Sequence, residues 1–323
     1  MKVVVTGGAG FIGSHLVKKL IDEGRDVVVI DDLSRGSRLN LLDLGLELPD
    51  DVQIEVLDLR NDGKELYSIM DGARTVFHLA ARIGSVDYLH GSNLAELMTF
   101  QDNVRIDANV FGACMKSHVA KIVYASSVSV YPMTKQGSEG AIFNERDMNY
   151  QNPDGGYGWA KMLGEYQLCL MDDTKISIAR IFNIYGPCSA LDETAQVIPA
   201  LIRKAVRYPK EDFVVWGTGM QSRDFTYVSD CVDALMLLEK NANKPPFTVN
   251  VGSGVSTYTD DIAQQIKDIS KKTMPMRFDR NKAMGTVSRT ADAAKLLSLG
   301  WRPKVALDEG LRLTYKWVEK RLE

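Results

Sequence analysis

Short runs of β-branched and apolar residues recur along the first half of the chain and alternate with stretches of helical pattern. The runs are apolar almost throughout, which is typical of strands covered on both faces in a parallel sheet. The stretches between them are long enough for right-handed crossover helices, so a series of βαβ units is predicted. The predicted strands are Lys2–Thr6, Asp26–Asp31, Val52–Asp58, Thr75–Ala80, Lys121–Ser126 and Lys175–Ile181, and the predicted helices are Gly13–Glu23, Asn93–Val119 and Tyr157–Met171.

After about residue 180 the alternation becomes irregular, and the 323 residues are enough for two domains. We expect an α/β protein with a doubly wound parallel sheet in residues 1–180 and a smaller C-terminal α/β domain in residues 181–323. The amphipathic pattern of Val228–Leu238 predicts that residues 226–247 return to the first domain. Candidate elements of the second half are Gln196–Val206, Phe213–Trp216, Thr248–Gly252, Thr259–Ser270 and Leu307–Leu322.

A glycine-rich turn follows the first predicted strand. Gly7, Gly10 and Gly13 are spaced GxxGxxG and lead into the helical pattern of Ser14–Leu20. Glycines allow the backbone to approach a pyrophosphate, and the free N–H groups of a helix N-terminus attract its charge. A sharp strand-to-helix turn is the alternative, but the flanking strand and helix and an acid about 20 residues on favour a dinucleotide. The first domain is therefore expected to be of the Rossmann type.

Acidic residues end the second and third predicted strands. Asp31, with Asp32 beside it, would accept hydrogen bonds from the adenosine ribose and repel a 2'-phosphate, which favours NAD over NADP. Arg35 is interpreted as a solvated loop residue, with pairing to a 2'-phosphate as the alternative. Asp58 would accept from the adenine amino group or cap the following helix.

The segment YGWAK places Tyr157 and Lys161 on one face of a predicted helix. An ammonium beside a phenol stabilises the phenolate and lowers the tyrosine pKa toward that of a general base. The preceding strand ends in serines at the sheet edge where ligands of such folds bind, and a serine hydroxyl there can relay a proton. A surface tyrosine with a lysine extended along it is the alternative.

Composition limits the partners. The 39 basic and 42 acidic residues give a net charge of -3 without a long run of one sign, so neither nucleic acid nor a membrane is expected as a partner. The four cysteines lie far apart, which predicts neither a metal site nor a disulfide framework. No stretch has the pattern of a membrane span or a secretory signal, so a cytoplasmic protein is expected.

Several segments together resemble the extended short-chain dehydrogenase/reductases that act on nucleotide sugars, and the resemblance covers nearly the whole chain. The segments are TGGAGFIG (6–13), HLAA (78–81), YASSVSVY (124–131), YGWAK (157–161), RIFNIYGP (180–187), WGTGMQSRDFTYVSD (216–230) and RTADAAKLLSLGW (289–301).

The resemblance implies a role for individual residues. The active-site serine, the general base and its lysine partner would be Ser127, Tyr157 and Lys161. NAD would be held by Gly7, Gly10, Phe11, Ile12, Gly13, Asp31, Asp32, Asp58, Leu59, Leu79, Ala80, Ala81, Asn103, Tyr157 and Lys161. The nucleotide-diphosphate sugar would be held by Ser127, Asn183, Val197, Arg223 and Arg289. Bidentate guanidinium contacts suit a pyrophosphate, whereas an ordinary ion pair is the alternative for Arg289.

Departures from the family narrow the expected reaction. Val128 and Ser129 stand where 4,6-dehydratases have an acidic pair, so dehydration is not expected. The chain also resembles GDP-mannose 3,5-epimerases, but their catalytic cysteine would fall at Ser129, and Cys188–Gln196 contains no lysine for their second acid–base group. The resemblance thus favours an NAD-dependent 4-epimerase of nucleotide sugars. A 3,5-epimerase-like enzyme and a nucleotide-sugar 4-reductase or dehydrogenase stay as alternatives.

Two further expectations concern Arg82 and the oligomeric state. Arg82 follows HLAA and would suit a carboxylated sugar, although an interdomain salt bridge explains it equally well. The resemblance implies a homodimer formed through Asn93–Val119 and Tyr157–Met171. Apolar positions on both helices fit this assembly and equally fit packing within one chain.

Overall fold

A computed structural model describes residues 1–61, 63–282 and 285–323. The strands are β1 (Lys2–Thr6), β2 (Asp26–Asp31), β3 (Gln53–Val56), β4 (Thr75–His78), β5 (Lys121–Ser127), β6 (Ile142–Phe143), β7 (Lys175–Ile181), β8 (Asn183–Tyr185), β9 (Val214–Trp216), β10 (Ser222–Tyr227), β11 (Phe247–Val251), β12 (Ser256–Tyr258), β13 (Arg277–Asp279) and β14 (Ser288–Ala291). The helices are α1 (Phe11–Asp22), α2 (Arg38–Asp43), α3 (Lys64–Met70), α4 (Val86–His90), α5 (Asn93–Lys116), α6 (Met133–Gln136), α7 (Gly155–Cys169), α8 (Val197–Arg207), α9 (Val228–Asn241), α10 (Thr259–Ser270), α11 (Ala294–Ser298) and α12 (Leu307–Leu322).

The larger sheet is parallel throughout and has the strand order β3-β2-β1-β4-β5-β7-β11. One of its inner strands, β1, carries Val3, Val4 and Val5, which are all completely buried. Because successive side chains of a strand point to opposite faces, both faces of the sheet must be covered. One face packs on Leu16 of α1 and its neighbours, and the other on Val110 of α5 and its neighbours.

The second sheet has the order β12-β10-β14-β6, and β8 also pairs with β10. Two further strands, β9 and β13, form a parallel pair beside it. Strand β6 lies in the first half of the chain but pairs with β14. The two sheets are therefore connected by more than one crossing of the chain, and a cavity opens between them.

The expected α/β class and the Rossmann-type parallel sheet are confirmed. The structure adds β11, which pairs with β7 at the edge of the large sheet. The segment that returns to this sheet therefore includes residues up to Val251, beyond the expected 226–247. Within the three described ranges, the structure has no helix long and apolar enough to cross a membrane. A cytoplasmic location stays a prediction.

Candidate active site

A cavity of about 1470 Å³ lies between the carboxyl ends of the large sheet's strands and the second sheet. This is the edge at which open parallel sheets bind their ligands. The predicted catalytic, cofactor and substrate residues line it, apart from Asn103. The Asn103 side chain is buried behind the wall, where it accepts from the backbone N–H of Arg82 and donates to the carbonyls of Arg82 and Thr99.

The glycine turn forms one end of the cavity. Gly7 has a φ of +70°, and a Cβ on it would lie 2.8 Å from the backbone nitrogen of Ala80. A Cβ on Gly13 would lie 2.0 Å from the carbonyl oxygen of Gly7. Gly10 and the first residues of α1 line the cavity. The first N–H groups of this helix have no partner within the helix, which fits the pyrophosphate of a dinucleotide.

Asp31 ends β2 with its carboxylate fixed in place. It accepts hydrogen bonds from the backbone N–H groups of Ala9 at 3.0 Å and Leu33 at 2.9 Å. Burial raises the pKa of Asp31, and these N–H groups oppose the rise. Asp32 is exposed and accepts from Ser34. The carboxylate of Asp31 is therefore positioned to receive ribose hydroxyls at the end of β2.

Asp58 lies at the same end of the cavity and is bound by Arg60 at 2.8 Å. This hydrogen bond lowers the pKa of Asp58. The interpretation of Asp58 as the cap of the next helix is wrong, because Gly63 occupies the N-cap position of α3. A contact with adenine stays a prediction.

Arg82 and Arg35 both lie against the ring of Tyr88, with guanidinium carbons 4.8 Å and 5.0 Å from its centroid. Arg82 also pairs with Asp102 of α5 at 3.4 Å, and Arg35 donates to Thr194 at 2.8 Å. The partner of Arg82 thus lies in the same domain, so the interdomain salt bridge is not what the structure shows. Arg35 is a loop residue, as expected, and it contacts both Tyr88 and Thr194 in the lining of the cavity.

Ser127, Tyr157 and Lys161 meet where β5 ends beside α7. Tyr157 is 5% exposed and Lys161 is 1% exposed. Among the described residues, the Lys161 ammonium has no hydrogen-bond partner, and its Nζ lies 4.5 Å from the centroid of the Tyr124 ring. A buried ammonium that lines a cavity in this way is available to bind hydroxyl groups of a ligand.

The protonation of these groups differs from the sequence-based expectation. Burial raises the pKa of Tyr157, while the Ser127 hydroxyl lowers it and the charge of Asp107 raises it further. Burial also lowers the pKa of Lys161. The expected lowering of the tyrosine pKa by the lysine is therefore wrong for the protein without ligands, because desolvation of the charged forms dominates.

Two arginines of the second sheet, Arg223 of β10 and Arg289 of β14, also line the cavity. Arg223 is 9% exposed and donates to the backbone carbonyls of Ser222 and Thr286, each at 2.7 Å. Burial and then the charge of Arg289 lower the pKa of Arg223 to about 9. Arg289 pairs with Asp154, at the N-terminus of α7. A buried guanidinium beside a second, partly exposed one in a cavity lining is suited to bind a dianion.

The other two predicted substrate residues also face the cavity. Asn183, at the start of β8, has a side-chain oxygen that is buried without a hydrogen-bond partner among the described residues. Val197 begins α8 and is partly exposed to the cavity. The unpaired amide oxygen of Asn183 can accept a hydrogen bond from a polar ligand, and Val197 offers an apolar surface for a ring of that ligand.

Sequence reasoning did not identify Asp154, Tyr88 or Asp107 as parts of the site. Asp154 has a sequence signal, since it precedes Tyr157 by only three residues, but its pairing with Arg289 depends on the second sheet.

Over residues 1–61, 63–282 and 285–323 the structure shows no group of three or more His, Cys, Asp or Glu that could hold a metal ion.

A Rossmann sheet with a glycine turn, an acidic residue after β2 and a Tyr–Lys pair defines a dinucleotide-dependent enzyme fold. The sequence profile of the NAD dependent epimerase/dehydratase family matches residues 3–252. The chain belongs to this family, as the motif resemblance predicted, and NAD is the family's cofactor.

Relatives with different reactions cover the whole chain. GDP-mannose 3,5-epimerase of Arabidopsis thaliana is 28% identical over 329 residues, spanning 100% of this chain and 83% of that protein. UDP-N-acetyl-alpha-D-glucosaminuronate decarboxylase of Bacillus cytotoxicus is 31% identical, spanning 99% of this chain and 98% of that protein. The crystal structure of UDP-glucose 4-epimerase from Thermotoga maritima, with UDP-glucose, superposes with a TM-score of 0.86 at 27% identity, covering 100% of both chains. The protein is therefore an enzyme of this family.

Proposed function

We propose that the protein is an NAD-dependent epimerase that inverts C4 of a nucleotide-diphosphate hexose through a transient 4-keto intermediate. The observation that carries this proposal is that Tyr157, Ser127 and Lys161 line the same cavity as Arg223 and Arg289. The first group can move a proton at a sugar hydroxyl, while the two arginines can hold a diphosphate. The fold likeness to a UDP-glucose 4-epimerase supports the same reaction.

NAD, when bound, would supply the hydride acceptor and donor for C4 of the sugar. The residues proposed to hold it fit the group, because the first residues of α1, whose N–H groups have no partner within the helix, line the cavity, and the carboxylate of Asp31 is held at the end of β2. Lys161 would bind the nicotinamide ribose, since its ammonium is buried at the cavity without a hydrogen-bond partner in the described part of the chain.

The protein's own groups handle the proton. Tyr157 takes the proton of the C4 hydroxyl and gives it back after the sugar has turned over. Ser127, which interacts with the Tyr157 phenol, orients the reacting oxygen. The ammonium of Lys161 stabilises the phenolate electrostatically. Because burial alone raises the pKa of Tyr157, this positive charge is required for the phenol to act as a base near neutral pH.

Arg223 and Arg289 anchor the nucleotide diphosphate, so that the intermediate can rotate without leaving the cavity. In the structure without ligands Asp154 neutralises Arg289. Binding of the diphosphate replaces this ion pair. Asn183 and Val197 line the same cavity as the arginines, and we place the diphosphate at Asn183 and the base at Val197.

Inversion at C4 is preferred over inversion at C3 and C5 because it needs only one acid–base tyrosine. Reactions at C3 and C5 need additional proton donors and acceptors. Ser129, at the place of the cysteine of 3,5-epimerases, is 6% exposed, and its hydroxyl lies 3.4 Å from Asp154. A serine is a much weaker acid than a cysteine thiol. Inversion at C3 and C5, net redox chemistry and decarboxylation of an acidic sugar are the competing outcomes.

We also propose that the protein is a homodimer formed through α5 and α7. Leu94 and Leu97 of α5 and Trp159 and Leu163 of α7 are at least 36% exposed. The two helices pack side by side, and a shallow apolar groove lies between them. An exposed apolar strip on paired helices is typical of a surface that binds a second copy. Light scattering of the wild type and of Leu97→Glu tests this, and a monomeric wild type would contradict it.

The test of the reaction has two stages. The purified protein is denatured and the released nucleotide is identified, and the native protein is then incubated with UDP-, GDP- and CDP-hexoses while the products are followed by NMR. We expect bound NAD and interconversion of C4 epimers at constant NADH absorbance. Products inverted at C3 or C5, loss of carbon dioxide, or consumption of cofactor in step with substrate would overturn the proposed reaction while leaving the family unchanged.

A further inference from the structure

A buried polar network lies behind Lys161, on the side away from the cavity. His78 Nδ1 lies 2.6 Å from Thr6 Oγ1, and His78 Nε2 lies 3.0 Å from Asp107 Oδ1. Tyr124 donates its phenolic O–H to Asp107 Oδ2 at 2.6 Å. All four side chains are at most 1% exposed. The network, here called the Asp107 network, joins three neighbouring strands of the large sheet to helix α5.

The hydrogen bonds define the protonation of the network. The backbone N–H of Ala80 donates to Thr6 Oγ1 at 3.3 Å, so the Thr6 hydroxyl is free to donate to His78 Nδ1. The proton of the neutral imidazole then lies on Nε2 and is donated to Asp107. Burial lowers the pKa of His78, which favours this neutral form. Asp107 therefore accepts hydrogen bonds from two neutral donors.

Helix α7 packs directly against this carboxylate. A Cβ on Gly164 would lie 2.5 Å from Asp107 Oδ2 and 2.3 Å from the phenolic oxygen of Tyr124. Lys161 is one helical turn before Gly164 and lies on the same face of α7. Its Nζ is 4.5 Å from the centroid of the Tyr124 ring, whose hydroxyl is bound to Asp107. The ammonium of Lys161 therefore lies against the ring of Tyr124, and the carboxylate of Asp107 binds the hydroxyl group of the same side chain.

The other charges around Lys161 are compensated. Glu165, also on α7, pairs with Arg180 of β7 at 2.7 Å, and both side chains are buried. Tyr157 is a neutral phenol until it gives up its proton. Burial lowers the pKa of Lys161, and the charge of Asp107, followed by that of Glu165, raises it. Within the described part of the chain Asp107 has no cationic hydrogen-bond partner, so it is the counter-charge of the lysine.

We propose that Asp107 is a positioning residue for the reaction: its buried carboxylate keeps the Lys161 ammonium charged and thereby sets the pH range in which Tyr157 and Lys161 work together. This inference rests on the proposed function, since it assumes that Tyr157 acts as the base. Asp107 does not line the cavity, so it acts on the reaction through its charge.

The charge of Asp107 determines in which direction the pH profile of kcat moves when that charge is removed. A negative charge raises the pKa of a nearby phenol and of a nearby ammonium alike. Activity requires an ionised Tyr157 and a protonated Lys161. The pKa of Tyr157 therefore limits activity at acid pH, and the pKa of Lys161 limits it at alkaline pH. Removing the charge of Asp107 lowers both pKa values. The whole bell-shaped pH profile of kcat then moves to lower pH, whereas a structural defect changes its height without moving it.

The test compares Asp107→Asn with Tyr124→Phe, after circular dichroism has shown that both variants fold. We expect both limbs of the pH profile of Asp107→Asn to move by about one pH unit toward acid. Tyr124→Phe removes the hydrogen bond but keeps the carboxylate, so its limbs should stay in place. If the asparagine variant does not fold, Asp107→Thr removes the same charge and keeps a hydroxyl.

A second measurement needs no turnover. Lysine ε-carbons are isotope-labelled in the NAD-loaded protein, Lys161 is assigned with Lys161→Met, and its titration is followed by NMR. We expect the Lys161 titration to move about one pH unit lower in the variant without the Asp107 charge. An unchanged titration would overturn the inference. If no nucleotide sugar is turned over, the proposed function fails, and the lysine titration still decides the inference.

Discussion

Arg223 of β10 and Arg289 of β14 face each other in the register of two neighbouring parallel strands. Two guanidinium groups are thus held side by side in a wall of the cavity, where burial and mutual repulsion lower the pKa of Arg223 to about 9. The carboxylate of Asp154 compensates one of the two charges. A diphosphate would compensate both, so the ligand-free wall has an excess positive charge that favours binding of such an anion.

Replacing Arg289 by Gln should weaken binding of the nucleotide diphosphate. A hydrogen bond to a charged group is worth about 2 kcal/mol, which corresponds to roughly thirtyfold in affinity. Calorimetric titration with UDP, GDP and CDP measures the loss, and KM of the sugar substrate should rise in parallel. NAD content serves as the control, because Arg289 belongs to the second sheet whereas the glycine turn follows a strand of the large sheet. Unchanged affinity for every nucleotide would contradict the diphosphate role.

Asp154→Asn should have the opposite effect. Asp154 competes with the ligand for Arg289, and its side chain is 17% exposed. Breaking a partly exposed ion pair of this kind changes the free energy by up to about 1 kcal/mol, so the diphosphate should bind roughly fivefold more tightly. Weaker binding in the same titration would show that Asp154 supports the anion site instead of competing for it.

Tyr157→Phe should lower kcat by roughly a hundredfold to ten-thousandfold, the usual contribution of a general acid–base group. NAD content and nucleotide affinity should stay close to those of the wild type, since the phenylalanine keeps the ring. Tyr150→Phe is the matched control, because Tyr150 is 52% exposed and outside the cavity lining. If the Tyr157 variant keeps full activity in the NMR assay, another group performs the proton transfer.

The strands of the large sheet could be predicted because their sequences alone carry the signal. β1, β2 and β7 have the predicted bounds, since each is apolar along nearly its whole length and buried on both faces. The strands of the second sheet could not be predicted in this way. β10 reads SRDFTY and is completely buried, and its polar side chains are satisfied by partners that only the tertiary structure provides.

The site shows the same division. Tyr157 and Lys161 could be identified because their spacing on one helix is a local property. Asp107, on α5, could not be identified, because its partners His78 and Tyr124 come from strands β4 and β5 and no local sequence pattern connects them. The direction of the Tyr157 pKa was also missed, since it depends on burial, which is a property of the folded chain.

The ion pair between Arg25 and Glu239, at 2.8 Å, joins the returning helix α9 to the first domain. Burial opposes ionisation of Glu239, but hydrogen bonds from Arg25 and Thr75 outweigh it, so its pKa lies below the ordinary 4.5. A lowered pKa in the folded state adds stability above the unfolded-state value, and this stability is lost as the pH falls through the folded-state value.

Glu239→Gln should therefore lower the free energy of unfolding by about 2 kcal/mol at neutral pH, with the deficit shrinking below pH 4.5. Urea unfolding of wild type and variant over a series of pH values measures it. Glu23→Gln, at an exposed position at the end of α1, is the control and should change little. A deficit that is the same at every pH would mean that packing, and not charge, accounts for the effect.

Gly13 and Gly112 are both helical glycines, yet a methyl group should have opposite effects at the two positions. A Cβ on Gly13 would lie 2.0 Å from the Gly7 carbonyl oxygen, so the turn must open and the backbone N–H groups offered to the pyrophosphate move apart. A Cβ on Gly112, in α5, meets nothing within 4 Å.

We expect Gly13→Ala to lose bound NAD and about 1–3 kcal/mol of stability, and Gly112→Ala to gain about 0.5–1 kcal/mol of stability. Thermal unfolding and the NAD content of the purified variants check both. If Gly13→Ala keeps stoichiometric NAD, the cofactor does not depend on the close packing of this turn, and the assignment of the glycine turn as its pyrophosphate site is wrong.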